Sequence, residues 1–260
     1  MRVASLGSGS KGNATLVQVA DTTILVDCGF GLKDIEGRLR NRGVDPASLA
    51  GILVTHEHSD HLKGAPMLAN RYGIPLWSTH GTARYFKRPV ATARTFHPSH
   101  RIAIGALDIE PVTVPHDSAE PAQFVFHHQG LRFGLLTDLG SLTNHVHQAY
   151  RDCQLLMLEC NHDPDMLRNG PYPPSLKRRV GGDFGHLSND QAAQLLKSVS
   201  HANLERVLVS HISEHNNDPA LAIATLLPEL DGHNTEIEML TQQDGCDWVS
   251  LRHPAKTRPD

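Results

Sequence analysis

The 260-residue sequence predicts a single α/β domain built as a four-layer αββα sandwich. Three observations predict it. Both halves alternate short β-branched, apolar runs with amphipathic helical stretches. No low-complexity stretch or change of composition marks a linker between them. A chain of this length also buries a substantial core within one domain. The two strand-rich halves supply the inner layers, and the helices cover their outer faces.

In the first half, residues 3–6 and 14–19 read as strands joined by GSGSKGN, and TTILV (22–26) is a strand ending in Asp27-Cys28-Gly29. A helical stretch follows over 32–40, broken by Gly43 and Asp45-Pro46. GILVT (51–55) is a continuous apolar run of the buried kind. A helix is expected from about Asp60 to Arg71, and Trp77 marks a short strand. Residues 93–136 hold alternating runs, clearest at 106–114, 122–127 and 131–136.

The second half repeats the rhythm with a helix over 142–150, a buried strand over 154–158 and a Gly/Pro loop at 170–174 before a short basic helix. Ser188 opens a helix with the capping box Ser188-x-x-Gln191 and an apolar face of Ala192, Leu195, Leu196 and Val199. A strand at 206–209 and a helix at 219–230 follow. The domain is taken as 1–260, with a tail from about residue 250 expected to be disordered.

Net charge is −4, so no global basic field advertises nucleic acid, and any such contact must be local. No signal-like opening and no long apolar run occurs, so a cytoplasmic protein without membrane contact is expected. Cys28, Cys153, Cys160 and Cys246 are scattered and read as reduced thiols. The oligomeric state stays open, a homodimer included. The oddity is 18 histidines against 7 Phe, 4 Tyr and 2 Trp, which invites a search for metal ligands.

GSGSKGN is not a nucleotide P-loop. Its lysine precedes the glycine, and a strand rather than a helix follows. The strongest signal is Thr55-His56-Glu57-His58-Ser59-Asp60-His61, directly after a buried strand. Imidazole and carboxylate donors bind Zn²⁺ or Mn²⁺ while leaving a position for water. His56 and His58 suit one ion, and Asp60 with His61 a second, which predicts a dinuclear centre.

These residues match H-x-H-x-D-H, and the sequence here resembles the metallo-β-lactamase superfamily. The redox branch of that superfamily carries Glu at the position of His58, so the resemblance implies hydrolysis. Asp27 resembles the early structural aspartate that supports the metal loop from outside the ligand set. His116 in VTVPHDS looks like the third ligand of the first ion, and Asp138 in GLLTDLG like the carboxylate bridging both. The last ligand usually follows a late strand. His211 in RVLVSHIS fits, since it alone follows an apolar strand at once; His162 and His215 compete.

The succession Glu159, His186, His211 looks like that of ribonuclease Z and the β-CASP nucleases. The resemblance gives Glu159 and His186 a part in catalysis or phosphate binding, His186 standing by the Ser188 helix start. The span from Asp138 to His186 is too short for a β-CASP cap, and no Gly/Pro-rich arm for transfer RNA is evident. SLGSGSKGN, ECNHD, YPPSLKRRV…GHLSN and SHISEHNN are closer to the small bacterial YycJ/WalJ-type family, described as metal-dependent 5′→3′ DNA exonucleases.

That resemblance implies a phosphodiesterase with two divalent ions (Zn²⁺ or Mn²⁺, Fe²⁺ also suiting the donors) and a bridging hydroxide oriented by Asp60. DNA is favoured over RNA as substrate. Ser8, Ser10, Lys11 and Asn13 of the first loop would seat the phosphate in a nest, and Lys177 with Arg178 would contact strand phosphates. No row of exposed aromatics is evident, so backbone contact is expected to dominate. The rivals are an RNA-processing nuclease, a glyoxalase-like ester or thioester hydrolase, and a non-catalytic metal-bound scaffold.

Overall fold

In the computed structural model, which describes residues 1–251, Asp27, Asp138, Glu159 and His211 end a strand or follow one within two residues, His56 and His116 lie three residues past strand ends, Asp60 and His61 lie in a short helix and His186 just before one. Strands β1 (Arg2–Gly7), β2 (Ala14–Val19) and β3 (Thr22–Val26) form an antiparallel meander. Helix α1 (Leu32–Asn41) leads to β4 (Gly51–Leu53); α2 (Ser59–Leu62) and α3 (Ala65–Tyr72) lead to β5 (Leu76–Thr79); α4 (His80–Ala83) precedes β6 (Ala93–Phe96). Each of these three strands runs parallel to the one before it.

The chain then crosses to the second sheet. Strands β7 (Ile102–Ile104), β8 (Leu107–Thr113), β9 (Ala122–His128) and β10 (Leu131–Leu136) pair antiparallel in sequence. After α5 (Asn144–Ala149) comes β11 (Leu155–Glu159), then α6 (Pro164–Asn169), α7 (Pro174–Val180), α8 (Asn189–Val199), β12 (Arg206–Ser210), α9 (Pro219–Leu226) and β13 (Glu236–Met239). β10 to β13 are mutually parallel. Finally β14 (Cys246–Ser250) returns to the first sheet beside β1, giving the orders β14-β1-β2-β3-β4-β5-β6 and β13-β12-β11-β10-β9-β8-β7.

Three apolar cores correspond to the three interfaces of four layers. Between the sheets, Val17, Ile24 and Val26 meet Ile109, Phe124, Phe126 and Phe133. On the outer face of the first sheet, Leu16, Leu25 and Ile52 pack on Ile35 and Leu39 of α1 and Leu68 of α3. On that of the second, Leu156, Leu158 and Val209 pack on Val146 of α5, Leu195 and Leu196 of α8 and Ala222 of α9. The αββα sandwich predicted by the alternation is therefore the observed fold. The capping box at Ser188 is formed, with the Ser188 hydroxyl accepting from the Gln191 amide and the Gln191 side chain accepting from the Ser188 amide.

Some elements differ. The helix expected over 60–71 is two helices, because the chain turns at Gly64. Its amide donates to the Cys28 carbonyl at 2.7 Å, and a Cβ there would lie 2.1 Å from the Phe30 carbonyl oxygen. The helix expected over 219–230 ends at Leu226 and finishes in a 3₁₀ turn containing Pro228. Strands β13 and β14 carry no clear sequence signal. Ser250 pairs with Arg2 in β14 and Leu251 is buried; the rest of the tail expected to be disordered, 252–260, lies outside the described residues.

β8 and β10 are both antiparallel to β9 and so point the same way, with β11 and β12 alongside. The carboxyl ends of β8, β10, β11 and β12 thus share one edge of their sheet, and the chain beyond β3 and β4 meets it from the other sheet. Ligand sites of α/β folds gather at such edges. Gly29 allows the close approach: a Cβ there would fall 1.8 Å from the Asp60 carbonyl oxygen. Gly29→Ala should cost about 1–3 kcal/mol through overpacking, read as a lower denaturant midpoint, with metal uptake weakened in the fraction that folds.

Candidate metal centre

The loop after β4 begins with Thr55, whose amide and hydroxyl bind the Asp27 carboxylate at 2.8–3.0 Å. Asp27 also takes the His61 Nδ1 at 2.8 Å. One buried carboxylate thus ties the end of β3 to both ends of the histidine cluster. Asp27 and His211 have left-handed backbones, φ 60° and 52°, uncommon for non-glycine residues.

The hydrogen bonds assign the histidine tautomers. The Thr55 hydroxyl donates to Asp27 and so accepts from His56 Nδ1–H, 2.9 Å away, leaving His56 Nε2 as a lone pair. His61 Nδ1–H donates to Asp27, His116 Nδ1–H to the Gly185 carbonyl at 3.0 Å, and His211 Nδ1–H to Glu159 at 3.1 Å. Each of the four therefore turns its Nε2 inward. Such a partner behind each ring is what fixes a metal-ligating imidazole.

These atoms converge. His56, His58 and His116 form one group whose ligand atoms lie within 4.8 Å of one another; Asp60, His61 and His211 form another; His56, His61 and Asp138 link them. His58 Nδ1 is 3.2 Å from His116 Nε2, His61 Nε2 is 3.1 Å from Asp138 Oδ2, and Asp60 Oδ2 is 3.4 Å from the Nε2 atoms of His61 and His211. His56 Nε2 and Asp138 Oδ2 are buried without a hydrogen-bond partner. Orphaned lone pairs facing each other across an oxygen- and nitrogen-lined space are what a divalent cation satisfies, so the residues present fit the metals expected.

Electrostatics separates the two groups. Burial holds His56 and His116 below the ordinary imidazole range, so their lone pairs are free to bind. Burial would also lower His61 and His211, but Asp138 and its neighbouring carboxylates outweigh it, holding His61 well up and pushing His211 up to about 10. Burial would raise Asp138 and Asp60, yet the surrounding imidazoles hold both down. The centre thus demands positive charge, whether as protons on imidazole or as cations.

Glu159, fully buried at the end of β11, accepts from the Leu139 and Leu187 amides with one oxygen, and binds His186 Nδ1 at 2.7 Å and His211 Nδ1 with the other. His186 has an 18% exposed side chain, and its pKa is raised because Glu159 and Asp138 outweigh burial. It lies within the group Asp138, Glu159, His186, His211. Of the competitors for the last ligand position, His162 belongs to no such group among the described residues, and burial lowers it to about 4. His215 is exposed beside Tyr172.

The expected phosphate contacts are redistributed. The Ser8 hydroxyl accepts from the His211 amide at 2.9 Å, and Asn13 binds Gly9 and approaches His61 Nε2, so both are engaged by residues of the cluster. Ser10 and Lys11 are exposed at the rim, with the Lys11 ammonium paired to Glu214 at 2.6 Å. Lys177 donates to the Arg168 carbonyl and Arg178 is exposed; Arg179, also exposed, is the member of the run that pairs beside the cluster. It pairs with Asp117, whose other oxygen is 3.6 Å from His58 Nε2 and His116 Nε2.

Sequence reasoning also missed Glu57, which accepts from the Ala119 amide at 2.6 Å and binds the metal loop to the loop of His116. It missed the exposed rings of Tyr85 and Phe184 as well. An acid between two ligand histidines was the available signal for Glu57; single aromatics in loops give none.

Residues 22–212 match the family described as a beta-lactamase superfamily domain. The chain is 33% identical to an exodeoxyribonuclease YycJ of Bacillus anthracis over 222 residues, 84% of each chain. It is 32% identical to an exodeoxyribonuclease WalJ of Streptococcus pneumoniae over 232 residues, 86% of each. Among solved structures, the metallo-β-lactamase fold protein YhfI of Bacillus subtilis aligns with TM-score 0.73 at 17% identity, covering 95% of this chain and 98% of that one. Human short-form tRNase Z aligns with TM-score 0.68 at 15% identity, covering 97% and 100%. Both structural likenesses speak to fold alone. The chain belongs to the metallo-β-lactamase superfamily and, within it, to the family of the YycJ/WalJ exodeoxyribonucleases. It is accordingly an enzyme of the metal-dependent hydrolase class.

Asp27→Asn should weaken metal affinity about 10- to 100-fold in chelator competition while the protein stays folded, as expected for a partner behind a ligand. His211→Ala should lose metal stoichiometry and His162→Ala should keep it; equal retention in both would remove His211 from the ligands.

Proposed function

We propose that this protein is a dinuclear phosphodiesterase acting as a 5′→3′ DNA exonuclease. The observation that carries the reading is the Glu159–His186 pair, held at 2.7 Å on the border of the ligand cluster. Hydrolysis of a small ester or thioester needs the metal ligands but leaves this pair without work. The names of the two relatives, both exodeoxyribonucleases, support DNA as the substrate.

In this reading His56, His58 and His116 would hold one ion and Asp60, His61 and His211 the other, with the Asp138 carboxylate contributing to the same cluster. Two such ions, when bound, acidify a shared water and neutralise charge on the phosphate oxygens. Asp60, half-buried at the entrance, orients the attacking group by accepting its hydrogen bond. His186 keeps Nδ1–H on Glu159 and presents Nε2–H to the departing oxygen, and the Glu159 carboxylate behind it favours the protonated ring. Glu159 meanwhile fixes His186 and His211 from one oxygen, so the proton donor and a metal ligand share a single anchor. Arg179 offsets the charge of Asp117, the carboxylate beside His58 and His116. The buried, unpaired cysteines fit a reducing cytoplasm.

End-labelled DNA and RNA incubated with the protein and Zn²⁺, Mn²⁺ or Fe²⁺ should show stepwise shortening of DNA from the 5′ end. Turnover of a thioester without any shortening would overturn the reading. His186→Ala should lower phosphodiester turnover about 10²- to 10⁴-fold with metal content unchanged; loss of metal would instead move His186 into the ligand shell.

A further inference from the structure

A cavity of about 330 Å³ shares a wall with the metal loop. Glu57 and Ser59, the residues either side of His58, form that wall, while Leu62, Pro66 and Met67 make an apolar floor. The Tyr85 ring borders the floor with 54% of the residue exposed. Lys63, Lys87 and Arg88 complete the rim, and all three are exposed without an ion-pair partner among the described residues. The lining's one carboxylate, Glu57, is engaged by the Ala119 amide and the Thr82 hydroxyl. In a chain of net charge −4, this gathers unpaired positive charge around an aromatic face next to the ligand cluster.

A second ring stands on the other half of the sandwich. Phe184, 62% exposed, precedes Gly185 and His186, and its carbonyl accepts from the Asp117 amide at 2.9 Å. Tyr85 and Phe184 are the exposed large aromatics of the described residues. Each borders a loop that carries ligands of the cluster, one from each sheet.

We propose that the Tyr85 cavity is a single-stranded DNA subsite flanking the scissile phosphate, in which a nucleobase stacks on Tyr85 above the floor of Pro66 and Met67. Lys63, Lys87 and Arg88 take the phosphates of that segment, and Phe184 offers a second stacking face on the far side of the cluster. Stacking on an aromatic face accepts any base, and a cationic rim follows the backbone, so the subsite is tolerant of sequence. This subsite rests on the phosphodiesterase reading and adds to it where the strand lies.

The test uses the full metal-loaded chain and a fluorescent single-stranded oligonucleotide with a nuclease-resistant phosphorothioate backbone, with affinity read by anisotropy so that no cleavage intervenes. Tyr85→Ala should weaken binding about 5- to 150-fold, as loss of one base stack does, and Tyr85→Phe should restore it. An oligonucleotide lacking bases should bind the wild type and Tyr85→Ala equally. The triple variant Lys63→Ala/Lys87→Ala/Arg88→Ala should reduce the slope of log affinity against log salt by about 2. All of these variants should hydrolyse a small chromogenic phosphodiester at the wild-type rate, showing an intact metal centre. DNA affinity and salt slope unchanged in both Tyr85→Ala and the triple variant, in a protein that still shortens DNA, would overturn the subsite alone. A wild type that neither binds nor shortens DNA would overturn the phosphodiesterase reading and the subsite with it.

Discussion

Four carboxylates, those of Asp27, Asp60, Asp138 and Glu159, are brought together at the join of the two sheets, three of them almost wholly removed from water. A fold tolerates buried negative charge only when cations and hydrogen-bond donors meet it closely. The histidines do so here. Asp27 is met by Thr55 and His61, Glu159 by His186, His211 and two amides, and Asp138 by His61 and His211 at ion-pair distance. Each imidazole that compensates a carboxylate with Nδ1 is left with Nε2 aimed at its neighbours. Charge compensation and ligand orientation are one arrangement.

Topology supplies the convergence. Parallel strands β10, β11 and β12 deliver Asp138, Glu159 and His211 to one edge, because the last residue of each apolar run is the first free to leave the sheet. The same rule brings Asp27 and Thr55 off β3 and β4. The apolar interior holds those strand ends in register, so core packing sets the positions on which the chemistry depends. Cross-braces then close the gaps between loops: Glu57 to Ala119, His116 to Gly185, and Ser8 to His211.

Much of this was readable in the chain. The sandwich follows from the alternation of apolar runs and helical periods. Asp27, His116, Asp138, Glu159 and His211 each follow an apolar run, so their places at strand ends could be read locally and their grouping by resemblance. What stayed hidden depends on direction. Helix α7 buries none of its residues, so no apolar stripe told which of Lys177, Arg178 and Arg179 pairs beside the cluster. Ser8 and Asn13 look like anion-binding loop residues, but the partners they serve lie far along the chain. Strand β14 forms only because β1 offers it an edge, a contact that no local pattern records.

The bond from Ser8 to the His211 amide, spanning 203 positions, also orders the protein in time. A chain made from its amino terminus has His56, His58 and His116 early, whereas the group of Asp60, His61 and His211 stays open until the strand β12 has been added. Long loops close late because their entropy must be overcome before the contact rewards it. The contact of the first hairpin loop with His211 therefore waits for the carboxyl-terminal third of the chain, and the full candidate set comes together only after both sheets have formed. A nascent chain of this kind is kept from its own chemistry until its fold is nearly complete.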